Sequence, residues 1–194
     1  MFEKIEQLIK TLANKEVKST DLLDFLLAHQ AGENHLVFVC THNSRRSQFG
    51  QVWAHVLAHH FQLNIKAYSA GTEVTECNPR TLQALHAQGF EILSEEGENP
   101  VHKVYFSKEA DPILLWSKTI EDDSLPQANF VALMTCDHAD ENCPFIPGAQ
   151  ARIPYRYEDP KAFDGTDLEA KMYQERSLEI ATDLHALFSQ LSNK

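Results

Sequence analysis

Basic residues are in short supply in this chain: 17 lysines and arginines stand against 28 aspartates and glutamates, for a net charge of −11. So acidic a chain has no bulk attraction for nucleic acid or an anionic membrane, and neither is expected as a partner. Positive potential for an anionic ligand has to be made locally, which gives weight to any arginine beside a reactive group. Long apolar runs are missing too. Stretches such as Leu36 to Cys40 and Phe130 to Met134 fall far short of the roughly 18 residues needed to cross a bilayer. The opening Met-Phe-Glu-Lys-Ile-Glu places acids where a secretory leader needs bases and then apolar residues, so a cytoplasmic location is expected. Cysteine is sparse. Cys40, Cys77, Cys136 and Cys143 are too few and too scattered for a secreted disulfide scaffold, which leaves catalysis, metal binding or inert burial. There is no internal repeat or low-complexity tract.

What is present is enough for one good core, with 194 residues of which 43% are hydrophobic. Phe2, Ile5, Leu8, Ile9 and Leu12 recur at helical spacing, and Ser19 or Thr20 caps a second helix over about 21–29 that ends by Gly32. Residues 1–33 are read as a helical extension packed on the main domain, which occupies 34–194. From His35 the texture becomes strand–helix alternation. Leu36-Val37-Phe38-Val39 is a buried strand, 46–61 a helix, and Ile65-Lys66-Ala67-Tyr68 a strand stopping at Ser69-Ala70-Gly71. Asn78-Pro79 opens a helix that ends at Gly89. An inserted β-hairpin is expected at about 100–120, from Val101 to Phe106 and Ile113 to Ile120. Phe130 to Met134 and Ala151 to Tyr157 are further strands, and Thr166 with Glu169 forms a capping box for a last helix over about 167–191. Such alternation implies an α/β sandwich with a mainly parallel sheet, whose ligands bind beyond the carboxyl ends of the strands. Cys40, Ser69, Cys136 and Asp159 all follow predicted strands.

The run Cys40-Thr41-His42-Asn43-Ser44-Arg45-Arg46-Ser47 sits in the first of these strand-to-helix turns. A nucleophilic cysteine needs its thiolate form. Backbone N–H groups at a helix N-terminus favour a thiolate and any oxyanion beside it. Arg46, six positions on, can curl back to hold two oxyanion oxygens with its planar fork, and Ser47 is placed to donate to the sulfur. The bland alternative, an inert core thiol and a solvated arginine, explains none of this placement.

The loop resembles that of the low-molecular-weight protein tyrosine phosphatases and of the thioredoxin-coupled arsenate reductases that share their fold. The resemblance runs from about His35 to the C-terminus. It implies a four-stranded parallel sheet with helices on both faces, and oxyanion binding by Thr41 through Ser47. It also implies loop support from Asn43 and from Ser69 in Tyr68-Ser69-Ala70-Gly71, and an aspartate, Asp159 of Asp159-Pro160, that protonates the departing oxygen. Two residues depart from the pattern: His42 stands where glycine is usual, and Arg45 where cysteine or alanine is common. Both add basic groups at the pocket rim, and a more highly charged or differently shaped substrate is the expected consequence. Gln51 replaces a frequent carboxylate, which puts cation binding near Asn43 in doubt.

Phosphatase and reductase share the first step, thiolate attack on phosphorus or arsenic. A phosphatase then needs only a general acid and a water. A reductase needs a second thiol to expel arsenite and a third to carry the disulfide to the surface, where a dithiol such as thioredoxin reduces it. The segment Cys136-Asp137-His138-Ala139-Asp140-Glu141-Asn142-Cys143-Pro144 resembles the redox segment of the reductases. Lys161-Ala162-Phe163 after Asp-Pro lacks the adjoining aromatics with which the phosphatases grip phosphotyrosine. Arsenate reduction through Cys40, Cys136 and Cys143 is therefore the leading expectation, with thioredoxin as a candidate partner and no bound cofactor. Phosphotyrosine or small phosphomonoester hydrolysis is the first alternative, and a non-catalytic oxyanion-binding regulator the second. Cys136 and Cys143 also admit a structural reading, or with His138 a zinc reading that lacks a fourth ligand. His55 and His59 share a helix face without a zinc-protease glutamate, so no metal site is expected. Cys77 has no partner by pattern and is read as inert.

Overall fold

The computed structural model describes residues 1–12, 15–142 and 145–192. Two short amphipathic helices come first, α1 (Glu3–Thr11) and α2 (Thr20–Ala28). Ser19 caps the second by accepting from the Leu22 N–H at 3.2 Å. Strand β1 (Asn34–Cys40) is followed by α3 (Arg46–Phe61), β2 (Ile65–Gly71) and α4 (Pro79–Ala87), the last capped by Asn78 with Pro79 in its first turn. Strands β3 (Glu91–Ser94), β4 (His102–Tyr105) and β5 (Ile113–Leu115) lead to β6 (Phe130–Met134), a short α5 (Asp137–Asn142), β7 (Ala149–Pro154) and the long α6 (Glu169–Ser192).

β2, β1, β6 and β7 pair in that order, all parallel, as the main sheet. A central parallel strand is buried on both faces, which is why β1 and β6 read as unbroken apolar runs. Leu36, Phe38, Val131 and Leu133 face one side, into a core shared with Trp53, Phe49, Ile180, Leu184 and Leu187. Val37, Val39, Ala132 and Met134 face the other, a smaller core covered by Ala139 of α5 with Leu125 and Ile146. At Gly50, α3 lies so close to β1 that a Cβ there would meet the Phe38 ring at 2.4 Å. That contact sets the start of α3 directly over the end of β1. Ile5, Ile9, Leu22 and Leu26 of the first two helices are fully buried in the larger core, so these helices are part of its wall.

The expected hairpin is the middle and edge of a three-stranded antiparallel sheet, β3-β4-β5. β3, which lacks a strong alternating pattern, joins through the Glu91↔Tyr105 to Ser94↔His102 pairs. The second arm is shorter than expected. After Leu115 the chain leaves this sheet and runs beneath the Cys40 loop, where Thr119 bridges Gly71. The predicted capping box is also altered, because α6 starts at Glu169 and its carboxylate accepts from the Gly165 N–H, not from Thr166.

Candidate active site

All four strands of the main sheet end on one edge, with Cys40 paired to Gly71 and Val39 to Met134. That brings the Cys40 loop, Ser69, Cys136 and Asp159 to the same rim, as the alternation implied. The loop turns through Asn43 in a left-handed conformation, φ 45°, which asparagine tolerates better than most residues. Asn43 is fully buried. Its Nδ2 donates to Ser47 Oγ at 2.8 Å, and its Oδ1 accepts from the Lys118 N–H at 3.0 Å. With Asn43 donating to it, the Ser47 hydroxyl is oriented to give its own proton to Cys40 Sγ, 3.0 Å away.

The rest of the loop is held by backbone contacts from later in the chain. Thr41 O accepts from the N–H groups of Thr72 (2.8 Å) and Glu73 (2.9 Å), and Ser44 O from that of Asn78 (3.0 Å). His42 O accepts from Ser117 Oγ at 2.8 Å and Thr75 Oγ1 at 3.2 Å. Gly71 fits this junction because it has no side chain: a Cβ would lie 2.7 Å from both Asn43 N and Thr41 O. Ser69 does not touch the loop directly. Its Oγ donates to Gln51 Oε1 at 2.6 Å and lies 3.2 Å from Gln48 Oε1, and Gln48 Nε2 donates onward to Asn43 O at 2.7 Å and Trp116 O at 2.9 Å. The inserted segment thus supports the loop through Trp116, Ser117 and Lys118. Sequence pattern gave no sign of this, since two of the three use backbone groups.

Arg46 and Asp159 meet at the mouth. Arg46 Nη2 donates to Asp159 Oδ2 at 2.8 Å and Nη1 to Tyr157 O at 3.0 Å, while its buried Nε makes no hydrogen bond among the described residues. Arg45 holds the same carboxylate from the other side, Nε to Oδ1 at 2.9 Å. Burial alone would raise the Asp159 pKa, but Arg46 and Arg45 together outweigh it and hold the carboxyl below the usual range. His42 turns outward to Glu73, at 3.3 Å. Cys40, His42, Ser44, Arg45, Arg46 and Asp159 line a narrow space of about 10 Å³, room for about one water. Both arginines that line it are hydrogen-bonded to Asp159. A larger cavity of about 530 Å³ lies between Phe2, His86 and Tyr105, but it contains no cysteine or arginine.

Cys136 is buried and unbridged, in the same small core as Cys40. Thr41 Oγ1 lies 3.5 Å from Cys136 Sγ and 3.3 Å from His138 Nδ1, and the Ala139 N–H donates to the sulfur at 3.4 Å. Cys143 lies outside the described residues. Cys77 is sealed in the interior, where burial pushes its thiol up to about 12. Among the described residues, no group of three or more His, Cys, Asp or Glu could hold a metal ion, and no helix is long and apolar enough to cross a membrane.

Residues 35–193 match the low molecular weight phosphotyrosine protein phosphatase family. The chain belongs to that family. An arsenate reductase of Halalkalibacterium halodurans is 29% identical over 134 residues, 69% of this chain and 79% of that protein. Among solved structures, a low molecular weight phosphotyrosine phosphatase from Vibrio cholerae superposes with TM-score 0.55 at 18% identity, covering 81% of this chain and 96% of the other. An arsenate reductase in a phosphate-binding state gives 0.55 at 19%, covering 81% and 98%. The match begins where β1 begins, so α1 and α2 lie outside the family segment.

Proposed function

We propose that this protein is an arsenate reductase in which Cys40 is the nucleophile, Cys136 the resolving thiol and Cys143 the thiol that presents the disulfide to a dithiol reductant such as thioredoxin. The observation that carries this reading is the place of Cys136, buried beside the loop and joined to it through Thr41, where a phosphatase has no use for a second thiol. Related proteins named arsenate reductases support it.

The chemistry balances with the protein's own thiols. The Cys40 thiolate attacks arsenic(V) and a protonated oxygen leaves as water. Arg46 and the loop hold the remaining oxygens, and the start of α3 adds its dipole. Cys136 then attacks Cys40 Sγ, and the sulfur–arsenic electron pair departs with arsenite. Cys143 attacks Cys136, frees Cys40 and leaves a disulfide for the external dithiol to reduce.

Arsenate-dependent oxidation of NADPH, coupled through thioredoxin and its reductase, should occur with the native protein and vanish in Cys136→Ser and Cys143→Ser. Retention of activity in those variants, with rapid hydrolysis of an aryl phosphate, would install the second reading, a phosphomonoesterase working through a cysteinyl-phosphate. The position of Asp159 at the mouth favours that alternative.

A further inference from the structure

Arg45 is the feature of this site that the shared chemistry does not require. Its side chain is almost fully enclosed, and although it lines the space beside Cys40, its guanidinium hydrogen-bonds to Asp159. Arg46 has a second task, because an oxyanion in the loop needs its fork. When Arg46 turns to the substrate, Asp159 loses one of its two cationic partners. Arg45 remains, gripping Oδ1 at 2.9 Å with Oδ2 a further 3.5 Å from its Nη2.

The other groups around Asp159 do not replace that cation. Cys40 and His42 share the cavity, and His42 faces Glu73. Tyr173 of α6 donates its hydroxyl to Asp164 at 2.8 Å. From its own turn, Asp159 Oδ1 accepts only the Lys161 N–H.

We infer that Arg45 is a specificity-determining residue: it keeps Asp159 a carboxylate after Arg46 has moved to the substrate, and so disfavours phosphate esters relative to acidic oxyanions that bring their own proton. The distinction is one of proton supply. Arsenate monoanion and a thiolate give the thioester of arsenic and water with no outside proton, because the oxyanion carries two. A phosphate monoester and the same thiolate give cysteinyl-phosphate and an alkoxide or phenoxide, which must take a proton from an acid as it leaves. A carboxylate clamped by arginine has none to give. The inference deepens the reductase reading and rests on it for the identity of the favoured oxyanion.

The test compares hydrolysis of p-nitrophenyl phosphate, whose leaving group departs unprotonated, with that of phenyl phosphate, whose leaving group needs the proton. In Arg45→Ala and in Arg45→Gln, kcat/KM for phenyl phosphate should rise at least tenfold relative to that for p-nitrophenyl phosphate. The gain should disappear when Asp159→Asn is added. Because the readout is a ratio within one preparation, partial unfolding of a variant does not move it. A ratio that stays within twofold of native in both variants, or a gain that survives Asp159→Asn, overturns the inference. Thioredoxin-coupled arsenate turnover by the native protein is measured in parallel, and its absence sinks the reductase reading whichever way the ester ratio falls.

Discussion

Ser47 stands between Asn43 and Cys40, and its hydroxyl has one proton to place. Ser47→Ala removes the donor to sulfur together with the acceptor of Asn43 Nδ2, and leaves the loop's backbone bonds to Thr72, Glu73 and Asn78 in place. Turnover should fall about tenfold to a hundredfold, the equivalent of one hydrogen bond to a charged group, and alkylation of Cys40 by iodoacetamide should slow in step. Cys77 should be the opposite control. With its thiol pushed up to about 12 by burial, it should stay unlabelled in the folded protein at neutral pH and take label once the chain is denatured, as peptide mass spectrometry would show. Gly71→Ala forces a methyl group to within 2.7 Å of two backbone atoms of the loop, so a loss of about 1–3 kcal/mol is expected, read as a lower denaturation midpoint. At this scale the motif was legible. The contacts that join Asn43, Ser47 and Cys40 run through their own side chains at fixed spacing. Ser69 was legible only as a neighbour, because its effect passes through Gln48, and no spacing rule links a serine on one strand to a glutamine on a helix.

The elements were easiest to read where burial is uniform. β1 and β6 announce themselves as apolar runs, and α3 by Phe49, Val52, Trp53, Val56 and Leu57 on or near one face. β3 and the path of residues 116–119 were not legible, since a strand of mixed exposure and a backbone hydrogen bond leave no sequence pattern. Lys118 shows what that path costs. It is 3% exposed, its Nζ has no hydrogen-bond partner among the described residues, and the ammonium sits 3.8 Å over the Trp116 ring. Burial pulls its pKa down to about 8, against the pull of Asp122 and Cys77. The folded protein therefore bears the expense of a buried charge below that value, and the expense fades as pH rises from about 8 toward the roughly 10.4 of a free lysine. Lys118→Met should raise stability near pH 7 by about 1–3 kcal/mol, with the gain shrinking in alkali. Urea unfolding of both proteins across that range would show it, and a pH-independent difference would refute it.

On the scale of the whole molecule, the N-terminal helices are tied to the catalytic end. Lys15 and Lys18 both pair with Asp183, which is buried on α6, and Lys18 lies 3.7 Å over the ring of Tyr157. Tyr157 is the residue whose carbonyl holds Arg46. Leu22→Ala, at a fully buried position, should cost about 2–4 kcal/mol in one cooperative transition with the rest of the chain, where a loosely attached extension would melt separately. The hold of Asp159 on Arg46 bears on every oxyanion affinity of this protein. Asp159 is a competitor carried on the same chain, at an effective concentration that dilution does not reduce. An oxyanion's observed dissociation constant is its intrinsic one divided by the fraction of molecules in which Arg46 has let go. Asp159→Ala should bind inorganic phosphate at least tenfold more tightly in calorimetry, although it would be slower in any step that uses a proton from that carboxyl. Acidification into the range where Asp159 takes up a proton should release the same brake in the native protein.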